Sequence, residues 1–123
     1  MYLIDTNILL EVLLAQEKSK ECKSFLNTNA NELHLTDFSL HSIGVILFRY
    51  NKKEVFRVFY NDISPIISIV TLKEYDYVLD SSSKFGLDFD DSYQYSVAKE
   101  NGLTIVTMDR DFSAVNDLDI LFL

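Results

Sequence analysis

Short apolar segments that end in acids and lead straight into helices constrain this chain more than any other feature. Met1-Tyr2-Leu3-Ile4 runs into Asp5-Thr6-Asn7, and a leucine-rich segment follows. Near the other end, Leu103-Thr104-Ile105-Val106 runs into Thr107-Met108-Asp109-Arg110-Asp111-Phe112. A third acidic knot, Asp88-Phe89-Asp90-Asp91, opens the helix that precedes this second segment. In open α/β sheets, ligands bind beyond the carboxyl ends of the strands. Three acid-tipped elements converging on one sheet edge would make a site for a divalent cation.

The rest of the chain reads as strands alternating with helices. Strands are expected at residues 2–5, 33–35, 66–70, 104–107 and 120–123. Helices are expected at 7–16, 18–27, 38–50, 53–63, 73–85 and 91–101. Thr6 or Asn7 would cap the first helix and Thr36 or Asp37 the third, while Gly86 and Gly102 stop the last two. Ile66–Val70, rich in β-branched residues after Pro65, reads as a strand buried on both faces. Alternation of this kind predicts a mostly parallel sheet covered by helices on both sides.

With 123 residues, the chain is read as one domain, residues 1–123. Nearly half of it is apolar, and nine Phe and seven Tyr argue against disorder. Cys22 is the lone cysteine and has no internal disulfide partner, as expected in a reducing compartment. The first residues carry Asp5 and Glu11 and lack the basic start of a secretory leader. No apolar run reaches the roughly 20 residues a membrane helix needs, so a cytoplasmic protein with no membrane partner is expected. A net charge of −8 excludes a protein that coats nucleic acid by charge alone. It leaves open an enzyme whose acids hold a cation.

Taken in order, Leu3-Ile4-Asp5-Thr6-Asn7, Asp91 opening a helix that ends in Ala98-Lys99-Glu100-Asn101-Gly102, and Thr107-Met108-Asp109-Arg110-Asp111-Phe112 resemble the PIN domain. The resemblance covers essentially the whole chain and is strongest to the small VapC-like toxins of toxin–antitoxin pairs. It implies a three-layer α/β/α Rossmann-like fold. It also implies a ribonuclease dependent on Mg²⁺ or Mn²⁺, an RNA substrate, a homodimer and an antitoxin partner.

Phosphodiester hydrolysis needs an activated water and neutralised charge on the phosphate, which a hard cation held by few carboxylates supplies. Asp5 is expected as the central ligand. By the resemblance, Asp91 and Asp109 are the other catalytic acids, with Thr6, Asn7 and Thr107 supporting them through hydrogen bonds. Asp111 would hold a second ion or an outer water. Asp88 and Asp90 read as cap or turn residues.

The chain departs from the family at one position. Where a Glu is usual, early in the helix after the second strand, Ser39-Leu40-His41 leads into Ser42. No acid stands three or four residues away on the same helical face to replace it. Two functional readings follow: a nuclease working with three acids, or a weak or inactive PIN domain that binds RNA or protein. A phosphatase of the haloacid-dehalogenase kind is a distant third, because it wants a second Asp where Asn7 stands.

Away from the acids, His41 reads as a surface residue and His34 as structural. Gly44 is read as allowing close helix packing and Cys22 as a small buried hydrophobe. If one helix ran through them, Arg49, Lys53 and Arg57 would form a basic stripe for RNA phosphates or an acidic partner segment.

Overall fold

The computed structural model describes residues 1–123. Five strands, β1 (Tyr2–Ile4), β2 (Leu33–Thr36), β3 (Ser68–Val70), β4 (Thr104–Thr107) and β5 (Ile120–Phe122), form one sheet in the order β3-β2-β1-β4-β5. Every pairing is parallel. Six helices connect them: α1 (Thr6–Leu13), α2 (Ser19–Thr28), α3 (Asp37–Arg49), α4 (Lys53–Val58), α5 (Asp76–Phe85) and α6 (Phe89–Asn101). The expected α/β fold with a parallel sheet is therefore the observed one. No helix is long and apolar enough to cross a membrane.

The strand pleat sends successive side chains to opposite faces, and the core divides accordingly. Ile4 and Val106 pack with α1, α2, α3 and Phe59. Their neighbours Leu3 and Ile105 pack on the other face with Val78 of α5 and with Tyr93, Val97 and Ala98 of α6. Helix α6 is buried from Asp91 to Ala98 without interruption, lying between the sheet and α5. That burial explains why its sequence shows little amphipathic pattern.

Several boundaries differ from the sequence expectation for identifiable reasons. The segment read as a doubly buried strand is an edge strand: β3 pairs only with β2, and Ser68 and Ile69 are exposed. Its preceding residues Ser64–Ile66 form a 3-10 turn around Pro65. Apolar β-branched composition alone does not distinguish a central strand from an edge strand. Helix α4 ends at Val58 and passes into a π turn at Phe59–Ile63. Asp5, rather than Thr6 or Asn7, stands at the N-cap position of α1. Thr36 does cap α3, its hydroxyl accepting from the Ser39 amide at 2.9 Å.

The basic stripe does not form. Helix α3 stops at Arg49, Asn51 turns the chain with φ +56°, and α4 starts afresh at Lys53. Lys53 instead lies over the Phe48 ring, and Arg57 pairs with Glu54 at 3.0 Å. Gly44 receives the Phe56 ring, which an added Cβ would meet at 3.4 Å, so close helix packing accounts for it.

Candidate metal centre

Asp5 leaves β1 while its amide still pairs with the Val106 carbonyl of β4 at 2.9 Å. Although it occupies the N-cap position of α1, its side chain makes no capping bond. Both carboxylate oxygens are committed elsewhere: Oδ1 accepts from Gln94 Nε2 at 3.0 Å and Oδ2 from the Thr107 hydroxyl at 2.6 Å. Burial raises the pKa of Asp5, the bonds from Thr107 and Gln94 pull it back, and Asp109 pushes it up again; the net shift is upward. Buried at the N-cap position of α1 and bonded through both oxygens to Gln94 and Thr107, the Asp5 carboxylate also lines the pocket.

Asp91 is the third residue of α6. The N-cap Asp88 accepts from the Asp91 amide at 2.9 Å, which fixes where the helix starts and aims the Asp91 carboxyl at the sheet end. Burial, and then repulsion from Asp88, Asp109, Asp5 and Asp111, lift the Asp91 pKa to about 7. No Lys or Arg relieves this charge, because the ion pairs of the molecule involve Glu54 and Asp117.

Asp109 follows β4 and caps the 3-10 turn Arg110–Ala114, accepting from the Asp111 amide at 2.9 Å. The Thr107 hydroxyl that donates to Asp5 also accepts from the Asp109 amide at 2.9 Å. One buried hydroxyl thus sets the spacing between the acids of β1 and β4. The side chains of Asp91, Asp109 and Asp111 offer oxygens that all lie within 4.8 Å of one another. Asp5 is not part of this trio. It lines, with Asp91, Asp109, Asp88 and Asp90, a pocket of about 270 Å³, well above the roughly 15 Å³ that a single water needs. The pocket can therefore house a cation with its water shell.

Ser42 lines the same pocket, so the position lacking an acid faces the acids. Asn7 lines it too. Thr6 bonds to no acid; its hydroxyl donates to Ser39 Oγ at 2.7 Å, which also receives the Thr36 hydroxyl at 3.0 Å. Its contribution is to tie the start of α1 to α3. His41 is exposed and opens onto a separate groove with Phe48 and Phe56. Cys22 is buried against Met108.

Gln94 is a site residue that sequence reasoning missed. It follows Asp91 by three residues, one helical turn along the same face, and that spacing was the available signal. Its amide nitrogen holds Asp5, while its Oε1 is buried without a partner at the pocket wall. Uncompensated carboxylates, an unmet amide oxygen and the absence of sulfur or imidazole give an all-oxygen donor set. Such a set fits a hard divalent cation.

The fold and this pocket define a parallel α/β protein with an acidic centre at the carboxyl ends of its middle strands. The PIN domain family model matches residues 2–118, and the chain belongs to that family. Its fold is similar to that of FitAcB from Neisseria gonorrhoeae, with a TM-score of 0.80 at 19% identity over 98% of this chain and 96% of that one. It is also similar to a toxin–antitoxin complex from Klebsiella pneumoniae, with a TM-score of 0.77 at 18% identity over 94% and 92% of the two chains. VapBC2 from Rickettsia felis, solved bound to a DNA fragment from its promoter, gives 0.76 at 15% identity over 97% and 96%. At these identities the likeness is one of fold. No curated protein matches the chain in sequence.

Proposed function

We propose that this PIN domain is a metal-dependent endoribonuclease and the toxin of a toxin–antitoxin pair. The observation that carries the reading is the set of carboxylates from β1, α6 and the end of β4 gathered in one pocket without a countercharge. Asp91, Asp109 and Asp111 would hold Mg²⁺ or Mn²⁺, and Asp5 would bind it or its waters from behind. When bound, such a cation makes a water acidic enough to attack phosphate near neutral pH and neutralises developing charge on the phosphate oxygens. Thr107 and Gln94 orient Asp5, Thr107 also positions Asp109, and Asp88 orders the start of α6. Ser42 presents a neutral hydroxyl on the facing wall. The toxin assignment draws on the fold likeness to a chain of a structure described as a toxin–antitoxin complex. On that likeness, an antitoxin and a second copy of this chain are the partners we propose.

A second reading is a PIN domain that binds RNA or protein without cutting it, and Ser42 favours it. The test is cleavage of a pool of structured RNAs in Mg²⁺, Mn²⁺ and EDTA, with Asp5→Asn as the control for contaminating nuclease. Metal-dependent cutting that Asp5→Asn loses supports the nuclease. Folded protein that cuts nothing in either metal supports the binding module. Ser42→Glu then discriminates further: restored cutting would identify the missing carboxylate as the cause.

A further inference from the structure

The carboxylates of the acidic pocket are spread unevenly over its walls. From α1 and α3 the lining is uncharged: Thr6 and Asn7, then Phe38, Ser42 and Ile46, spaced four apart on one face of α3. The strand ends supply Asp5 and Asp109, and the start of α6 supplies Asp91 together with Asp88 and Asp90. Helix α6 does not need three acids there. Asp88 fills the N-cap position and its Oδ1 accepts from the Asp91 amide at 2.9 Å, which meets the demand for a cap. Asp90, read from the sequence as a cap or turn residue, is the second residue of the helix. It is exposed yet lines the pocket, so its carboxylate stands at the mouth. No Lys or Arg pairs with it, and burial, then repulsion from Asp88, raise its pKa. The helix dipole favours an acid in the first turn, but Asp91 already provides one. A buried polar group in the same wall points to a ligand independently. Gln94 is 3% exposed and lines the pocket, and its Oε1 has no partner. An orphaned buried acceptor marks the place of a water or an ion.

We propose that Asp90 is a cation-binding residue of this pocket, holding the ion's water shell from the mouth and supplying charge that the α1–α3 wall lacks. The inference rests on reading the pocket as a cation site. Asp90 stands outside the trio of acids whose oxygens converge. A hard divalent ion keeps several of its waters, so an acid beyond direct contact binds it through them. Such a contact is electrostatic, and a carboxylate on either wall provides it. Ser42 is the only polar side chain that α3 brings to the pocket. An acid introduced there should therefore substitute for Asp90.

The test is isothermal titration calorimetry of the whole chain and its variants with Mn²⁺, alongside urea unfolding in EDTA. Asp90→Asn should weaken Mn²⁺ binding by roughly 10-fold, the lower end for partners outside the direct ligands, and Asp90→Glu should keep the native affinity. Asp119→Asn removes the same charge from an exposed position at the amino end of β5, the opposite end of the sheet, and should leave the affinity unchanged. Ser42→Glu should return Asp90→Asn to the native affinity, and should add less to native protein than to Asp90→Asn. Native affinity in Asp90→Asn overturns the proposal; if its urea midpoint in EDTA falls at the same time, Asp90 is a helix-start residue. An equal loss in Asp119→Asn overturns it too, because charge anywhere on the surface would then suffice. So does a gain from Ser42→Glu that is as large in native protein as in Asp90→Asn, or the absence of any Mn²⁺ binding. Cleavage separates this inference from the function it accompanies. Metal-dependent cutting with a Mn²⁺ affinity that ignores Asp90 removes this inference alone. Asp90-dependent Mn²⁺ binding by protein that cuts nothing removes the nuclease alone.

Discussion

Helix α6 meets carboxylates at two places, a cluster at its first turn and Asp117 of the loop before β5 further along, and the two are treated in opposite ways. Toward its C-terminal half, Asp117 receives the Tyr95 hydroxyl on both oxygens at 3.0 Å and lies 3.6 Å and 3.7 Å from the ammonium groups of Lys84 and Lys99. Lys99 also donates to the Asp117 carbonyl at 2.8 Å. Slight burial works against the charge, but Tyr95, Lys99 and Lys84 outweigh it and lower the Asp117 pKa. At the first turn, Asp91 is buried among Asp88, Asp109, Asp5 and Asp111 with no cation, and its pKa rises to about 7. The same residue type beside the same helix is satisfied in one place, where Asp117 of the loop before β5 meets it, and frustrated in the other. Frustration of this sort costs stability unless something outside the chain relieves it, and perturbed acids of this kind gather at functional sites.

The largest effect expected from this contrast is on cleavage. Asp91→Asn or Asp5→Asn should reduce the metal-dependent rate by about 100-fold or more, since losing an outer-sphere partner alone costs about 10- to 100-fold. Asp117→Asn should leave the rate unchanged. Initial rates for the three variants in saturating Mn²⁺ make the comparison. An Asp117→Asn rate as poor as that of Asp91→Asn would erase the distinction between the clusters.

Stability against pH separates them by sign. In the folded chain the Asp91 carboxyl keeps its proton up to about pH 7, whereas an ordinary Asp titrates at 3.8. Between these limits the native state binds the extra proton, so stability from this group is full at low pH and falls as pH rises through the window. Unscreened, the fall would be about 1.4 kcal/mol for each pH unit crossed. Solvent in the open pocket screens the repulsion, which reduces the total loss to on the order of 2 kcal/mol. Asp117, with its lowered pKa, contributes the reverse: stability present at neutral pH and lost on acidification. Urea midpoints measured in EDTA across this range should fall with pH in native protein and flatten in Asp91→Asn. Divalent cation should restore the midpoint at neutral pH, by about 2.7 kcal/mol at 100 times its Kd.

Gln94 belongs to the frustrated end, and its removal should have an intermediate effect. Gln94→Leu strips Asp5 of one donor and should weaken Mn²⁺ affinity by about 10-fold, toward the lower end for outer-sphere partners. Calorimetric titration reads this directly. Unchanged affinity would reduce Gln94 to a packing residue.

How much of this was legible in the sequence follows the same division. The acidic end was readable because strand ends and helix starts leave local signatures. Ile4-Asp5, Asp88 three residues before Asp91, and Val106-Thr107-Met108-Asp109 each declare their position within a few residues. The parallel sheet was readable from alternation. Features that depend on remote neighbours were not. Ile69 looks like a core residue until the sheet order places it on an edge strand. Arg49, Lys53 and Arg57 look like a stripe until Asn51 takes a left-handed conformation. The Thr107 hydroxyl bridging Asp5 and Asp109 spans 102 residues to reach Asp5, and the Gln94 bond to Asp5 spans 89. The cluster around Asp117, built from α5, α6 and the loop before β5, gave no local signal at all.

The smallest expected effect lies in that satisfied cluster. Tyr95 is buried, with its hydroxyl at the surface end of the ring against Asp117. Tyr95→Phe keeps the ring, its packing with Phe85 and the volume of the core, and removes only the hydroxyl. The net worth of such a bond is about 1 kcal/mol, somewhat more when the acceptor is charged. Lys84 and Lys99 remain to hold Asp117, but exposed ion pairs contribute little and are screened by salt. The variant should therefore lose about 1 kcal/mol by urea unfolding, and the loss should grow slightly at high salt as the lysines are screened. Its metal affinity and cleavage rate should match those of native protein. A change in metal affinity would mean that the two ends of α6 are mechanically coupled, and the separation drawn between them would not stand.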